Sequence, residues 1–315
     1  MMNFSLSYTA PVFTEEDEER EFADLETNEK QSFINNLYGQ NAEELAVANG
    51  REITQQELDD FQKAIERIPV SDQTGYQMAM IRCPELLNTE TDPKLFLRCE
   101  EYSAEKAAQR MVHYWNMRVK IFGDDRAFLP LTLSGALEDD EELFQMFRDF
   151  PRFRTFLPDD DHGRTVAYTE APHIDYNNYG RILKMKYIWY FVHVAMKKQS
   201  TILKGLVFIV APARYKEFKL FDRLFYKMLI ESVNECLPVK VRSVHLFANS
   251  NSITKLLLPM IKYFMNKETR HIHKVHERLD PEILVPYGIQ PENVPRFIGG
   301  TFDAYPNWQW NGHAE

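Results

Sequence analysis

Little in this chain of 315 residues points to covalent or catalytic machinery. Its only cysteines, Cys83, Cys99 and Cys236, are odd in number, widely spaced and free of any CxxC pair. That excludes a disulfide framework or a cysteine-based zinc site as the organising device, and a reducing compartment fits best. Long hydrophobic runs are missing as well. The longest, such as Gly205–Ala211 (GLVFIVA), have strand length, whereas a bilayer span needs about 18 residues or more. The amino terminus, MMNFSLSYTAPVF, has no basic n-region and its apolar stretch is broken by polar residues, so no secretory signal is expected and the chain reads as cytoplasmic. There is no GxSxG elbow, GxxxxGK[ST] loop, HExxH helix or GxGxxG turn. The expectation is a protein with no catalysis and no cofactor.

Two features imitate chemistry. His271, His273 and His276 resemble a metal constellation, but on a strand His276 falls on the face opposite the other two, so hydrogen-bonded or solvated histidines are the better reading. The acidic runs Glu138–Glu142 and Asp159–Asp161 lack the alternating ligands and glycine of a calcium loop.

What is present is a core and a charge asymmetry. Hydrophobic residues make up 44% and aromatics 13%, ample for a large folded core and too much for a disordered chain. Residues 1–60 carry 15 acidic and 3 basic side chains, whereas residues 181–280 carry 7 acidic and 19 basic. The basic stretch can attract anionic phospholipid headgroups or the chain's own acidic segment. Nucleic acid is excluded as a partner, because the basic residues are interleaved with apolar runs and no nucleic-acid motif is present.

The first 125 residues read as nearly all helix. Thr14 precedes a run of carboxylates that suits a helix to about Tyr38. Thr54 and Glu57 form a capping box ahead of Leu58, Phe61, Ile65 and Ile68. Asp92-Pro93 opens another helix, and Ser103 caps the strongest one, Ala104 to about Phe122, with Ala107, Ala108, Met111, Val112, Trp115 and Val119 on one face. After the DDDHG turn at Asp159–Gly163 the pattern becomes strand (RTVAYTEA), helix (Arg181–Lys198), strand (Gly205–Ala211), helix (Phe218–Cys236), strand (Val241–Ala248), helix (Ile253–Met265) and short strand (His271–His276). That order is the α/β signature with crossovers long enough for parallel pairing, and GLVFIVA, lacking polar alternation, suggests a central strand buried on both faces. Helix Ile253–Met265 is apolar around much of its circumference, which fits either a fully buried helix or one between an apolar cavity and a membrane, and Pro259 would kink it.

Several stretches in register, LFLRCEEYSAEKAAQRMVHYWNMR (Leu95–Arg118), HGRTVAYTEA (His162–Ala171), GLVFIVA, VRSVHLFANSNSITKLLLPMIKYFMNKETRHI and LDPEILVPYGIQPENVPRFIGGTF, resemble the CRAL-TRIO lipid-binding family. The family includes tocopherol and retinaldehyde carriers and phosphatidylinositol transfer proteins. The resemblance covers about Asp92–Phe302. It implies an α/β fold, a mixed sheet with a lipid cavity closed by a gate helix, preceded by an all-helical amino-terminal module. The expected division is an acidic, partly helical extension over 1–50, the helical module over 51–125, the lipid-binding domain over 126–305 and a tail over 306–315.

By the same resemblance, the chain binds a hydrophobic small molecule or phospholipid and exchanges it with membranes, touching anionic lipid surfaces transiently. Ile253, Leu257, Met260 and Phe264 would belong to the gate. The pocket would be lined by Tyr168, Tyr190, Val194, Leu206, Phe208, Val210, Val244, Leu246, Leu258 and Ile261, for each of which plain core packing is the alternative. Arg98 and Thr269 match positions that contact headgroups in phosphoinositide-binding members; for Arg98 the alternative is a structural ion pair. Two departures weigh against inositol lipids: Pro238 is followed by Val239 where those members have an acid, and Ile272 stands where they have a lysine. A second function class stays open, a protein-interaction module on the same fold, with the cavity collapsed or constitutively filled and the acidic amino-terminal segment binding a partner.

Overall fold

The fold was described from a computed structural model, covering residues 14–38, 51–149, 155–169, 179–211, 222–247, 259, 261–263 and 265–303. Eleven α-helices of six residues or more are described: α1 (Glu15–Ala23), α2 (Thr27–Tyr38), α3 (Gln55–Arg67), α4 (Thr74–Arg82), α5 (Pro93–Cys99), α6 (Ala104–Arg126), α7 (Glu141–Asp149), α8 (Arg181–Ala195), α9 (Gln199–Lys204), α10 (Arg223–Glu231) and α11 (Lys267–Ile272). The strands are β1 (Thr155–Phe156), β2 (Thr165–Thr169), β3 (Leu206–Val210), β4 (Val241–Phe247) and β5 (His273–His276).

Local capping builds the helical module as the sequence predicts. At α3 the Thr54 hydroxyl accepts from the Glu57 amide at 3.2 Å while the Glu57 carboxylate accepts from the Thr54 amide at 2.8 Å. These reciprocal bonds satisfy two otherwise orphaned donors. Asp92 and Ser103 cap α5 and α6. Gly123, at φ 76°, interrupts α6, so its regular part ends at Phe122. Trp115 is fully buried, and Arg118, also fully buried, pairs with Glu90 at 2.8 Å.

Three local expectations are corrected. The acidic segment forms two helices rather than one continuous helix from Thr14 to Tyr38; the break at Asp24–Glu26 lets Leu25 bury, and Lys30 Nζ caps the Ala23 carbonyl at 3.2 Å. His271 lies in α11, not on a strand; β5 begins at His273. The helix expected over Phe218–Cys236 begins, among the described residues, at its cap Asp222 and ends in a wider i→i+5 turn over Ser232–Cys236.

The sheet has the order β1-β2-β3-β4-β5, with β1 antiparallel to β2 and the other four strands mutually parallel. Between β3 and β4 the register slips: Leu206 pairs with Val241 and Val207 with Ser243, which leaves Arg242 as an extra residue in a bulge. One face of the sheet joins a core that runs without interruption from α3 through α6, α7 and α8 to α10. The other face packs in a second cluster on Leu284 and Ile298 of two 3₁₀ turns and on Ile289 between them. The VPRFIGG ending closes that cluster. An added Cβ on Gly300 would lie 2.0 Å from the Val294 carbonyl, so only glycine permits the Phe302 amide to reach that same oxygen at 3.0 Å.

Candidate functional site

The two faces of the central strands are not equivalent. On β3, Val207 and Ile209 are fully buried in the second cluster, whereas Phe208 and Val210 on the opposite face are only half-buried. On β4, His245 and Phe247 are fully buried, whereas Val244 and Leu246 are half-buried. Pairing brings the half-buried residues together: Phe208 is opposite Val244, Val210 opposite Leu246, and Leu246 opposite the half-buried Val275 of β5. The expectation that GLVFIVA is buried on both faces is therefore corrected. A central parallel strand normally has both faces covered, and here one of them is left partly open along an apolar row.

The helix α8 lies on this side, with the Phe191 ring 6.2 Å from that of Phe208, Tyr190 buried and Val194 half-buried. Leu206 is fully buried in the helical core. Tyr168 is elsewhere: it pairs with Ile209, so it shares Ile209's face and belongs to the second cluster. It does not share the face of Phe208 and Val244. Ile261 is half-buried, whereas Leu258 and the gate positions Ile253, Leu257, Met260 and Phe264 lie outside the described residues. Of that helix, Lys262 and Met265 are buried and Tyr263 is 49% exposed.

A small cleft, partly open to solvent, lies where the helical module meets the start of β4. Arg98, Tyr102, Gly205, Pro238, Lys240 and Arg242 help to line it. The Arg98 Nε is buried without a hydrogen-bond partner. Lys240 pairs with Glu101 at 2.9 Å. Arg242 is 4% exposed and donates to the Lys204 carbonyl at 3.0 Å and the Asn36 carbonyl at 2.9 Å; burial pushes its pKa down to about 9. Glu101 and Tyr102 both have left-handed backbones, at φ 52° and 64°, a conformation that costs non-glycine residues about 1 kcal/mol or more each. Thr269 does not line this cleft: it is buried at 5% exposure with its hydroxyl donating to Asn234 Oδ1 at 2.6 Å. The two expected headgroup residues therefore do not share one cleft.

One constellation was not foreseen from sequence. Ser243 Oγ lies 3.1 Å from His245 Nε2, and His245 Nδ1 lies 3.0 Å from His276 Nε2. The order resembles a nucleophile relay, but Ser243 and His245 are fully buried, so a substrate has no approach. Burial pushes the His245 pKa down to about 3, with help from His276, and lowers that of His276 too. The alternation of Ser243, His245 and Phe247 on one strand face was the only signal available. Among the described residues no group of His, Cys, Asp and Glu is arranged to hold a metal ion, and no helix is long and apolar enough to cross a membrane.

No curated protein matches the chain. Among solved structures it is similar to that of Sfh5, at 12% identity and a TM-score of 0.45, over 75% of this chain and 85% of that one. Residues 153–300 match the model of the CRAL/TRIO domain.

Proposed function

We propose that this protein holds an apolar ligand or a phospholipid tail against the row Phe208, Val210, Val244 and Leu246, and exchanges it with membranes without catalysis. The observation that carries the reading is the unequal burial of β3 and β4, fully covered on one face and half-covered by an apolar row on the other. Each methylene moved out of water contributes about 0.8 kcal/mol, so ten buried methylenes supply about 8 kcal/mol, the scale of micromolar binding. Binding of that kind needs no reactive group. Tyr190, Val194 and Ile261 complete the lining in this reading, and the helix around Ile261 is the gate.

The cleft at Arg98 supplies a second element. Its buried, unpartnered Nε, with Lys240 and Arg242 beside it, suits an anionic headgroup. The basic excess of residues 181–280 would hold the protein transiently on anionic membranes at about 1 kcal/mol per well-placed base, which fits a cytoplasmic protein that visits membranes. The interaction-module alternative is less favoured, because Glu21 of the acidic segment already pairs with Arg270 of its own chain.

Organic extraction of the purified protein, with mass spectrometry of the extract, tests the reading. A stoichiometric lipid of one class is expected; an extract that stays empty after incubation with mixed liposomes rejects it. Leu257→Asp or Met260→Asp should abolish liposome transfer with the fold retained, and normal transfer by both variants removes the gate assignment. Arg98→Ala should lower retention of lipids with anionic headgroups only.

A further inference from the structure

The acidic helices and the basic half of the chain meet at one point. Arg270 of α11 donates to both carboxylate oxygens of Glu21 in α1, from Nε at 3.0 Å and from Nη2 at 2.5 Å. Its remaining nitrogen, Nη1, donates to the carbonyl of Met265. One guanidinium therefore ties the amino-terminal segment to the backbone just before α11. Beside it, His271 Nε2 lies 3.7 Å from Glu21 Oε2, and the His271 ring meets Phe33 of α2 edge-on at 5.2 Å. Arg270 and its attraction hold the Glu21 carboxyl below the usual carboxylate range, so the pair is ionised at neutral pH.

The carboxyl end of α2 is anchored by buried arginines: Arg164 donates to the Leu37 carbonyl at 2.5 Å and Arg242 to the Asn36 carbonyl at 2.9 Å, while Tyr38 donates to the Pro286 carbonyl at 3.2 Å. Cations at the carboxyl end of a helix also oppose its dipole. In α1, by contrast, Glu16, Glu19, Arg20, Ala23 and Asp24 at its edge are all exposed, and Glu21 makes its ion pair to the rest of the molecule. The break at Asp24–Glu26 separates the two helices.

We propose that α1 is an intramolecular latch, in which Glu21 occupies on Arg270 the place that a phosphate of an anionic membrane lipid takes when the protein docks. A guanidinium binds carboxylate and phosphate through the same two-pronged geometry, so the two compete directly. An anionic surface also repels the carboxylates of α1 while attracting Lys267 and Arg270. Docking then swings α1 out at its break and leaves α2 in place. The latch rests on the membrane-exchange reading above, and adds to it that the protein is held closed away from anionic surfaces.

The full-length protein and its Glu21→Gln variant, nearly isosteric, are compared for sedimentation with phosphatidylcholine vesicles with and without phosphatidylserine. Cleavage at the exposed Glu16 by a glutamate-specific protease reports α1 release in parallel. Glu21→Gln should bind the phosphatidylserine vesicles about tenfold more tightly, with unchanged binding to phosphatidylcholine alone and faster cleavage. The double variant Glu21→Arg, Arg270→Glu restores a pair of reversed polarity and should cleave at the slow rate yet gain no vesicle binding. Equal vesicle binding by Glu21→Gln and the native protein overturns the latch and leaves the exchange reading standing. Failure of both to bind phosphatidylserine vesicles overturns the latch together with the membrane-exchange reading beneath it.

Discussion

His245→Asn should flatten the acid limb of the stability profile. In the native protein His245 is fully buried between Ser243 and His276, with the Tyr287 ring edge-on at 4.5 Å, and its pKa is pushed down to about 3. In the unfolded chain the imidazole returns to about 6.5. Below that value the unfolded state binds a proton that the native state refuses, so stability is complete above about pH 6.5 and falls as the pH drops toward about 3. At about 1.36 kcal/mol per pH unit across that window, the native protein loses about 2 kcal/mol between pH 7 and pH 5 through this residue alone. Urea unfolding of the native protein and the His245→Asn variant at the two pH values isolates the effect of the histidine pair, because titrating groups away from it cancel in the difference. The native protein should lose about 2 kcal/mol more than the variant. Parallel losses in the two proteins, or an imidazole resonance of His245 titrating near 6.5 in the folded protein, would refute the buried neutral assignment.

Other perturbations have equally definite outcomes. Asp160 and Arg164 form an ion pair at 2.6 Å with both side chains fully buried, so Asp160→Asn strands the guanidinium and should cost about 3–5 kcal/mol in urea unfolding. Gly205 has φ 91°, and an added Cβ would lie 2.6 Å from the Lys240 carbonyl; Gly205→Ala should destabilise by more than the roughly 1 kcal/mol of an ordinary backbone effect and deform the Arg98 cleft. Trp115→Ala, from full burial, should cost about 3–5 kcal/mol by calorimetry or urea titration, and a near-neutral result would mean that the helical core collapses around the void.

Features determined within a few residues were legible in the sequence. The Thr54–Glu57 box, the Asp92 and Ser103 caps and the apolar face of α6 each depend on neighbours one turn away, and each stands where the spacing predicts. The four parallel strands were also readable from the alternation of β and α segments, whereas the two-residue antiparallel strand β1 was not. Parity between strands was not. The family resemblance groups Tyr168 with Phe208, but register pairs Tyr168 with Ile209, and a one-residue shift exchanges faces. The charge asymmetry announced that acidic and basic halves attract, yet Glu21 and Arg270 are 249 positions apart, and no local pattern selects that pair from the many available. The buried histidine chain was hidden for a similar reason: His245 and His276 sit on neighbouring strands and meet only through the sheet.

The bulge at Arg242 joins the candidate site to the amino-terminal helices. Along β4, residues 242, 244 and 246 would alternate onto one face, placing a guanidinium in line with Val244 and Leu246. The extra residue in the ladder breaks that alternation. Arg242 turns instead to the Lys204 and Asn36 carbonyls, where it fastens the end of α2. A buried charge without hydrogen bonds is expensive, so the diverted guanidinium needs those carbonyls as much as α2 needs a cation at its carboxyl end. The same local irregularity thus keeps the row Phe208, Val210, Val244 and Leu246 free of charge, as an apolar ligand requires, and fixes the helix from which α1 extends toward Arg270.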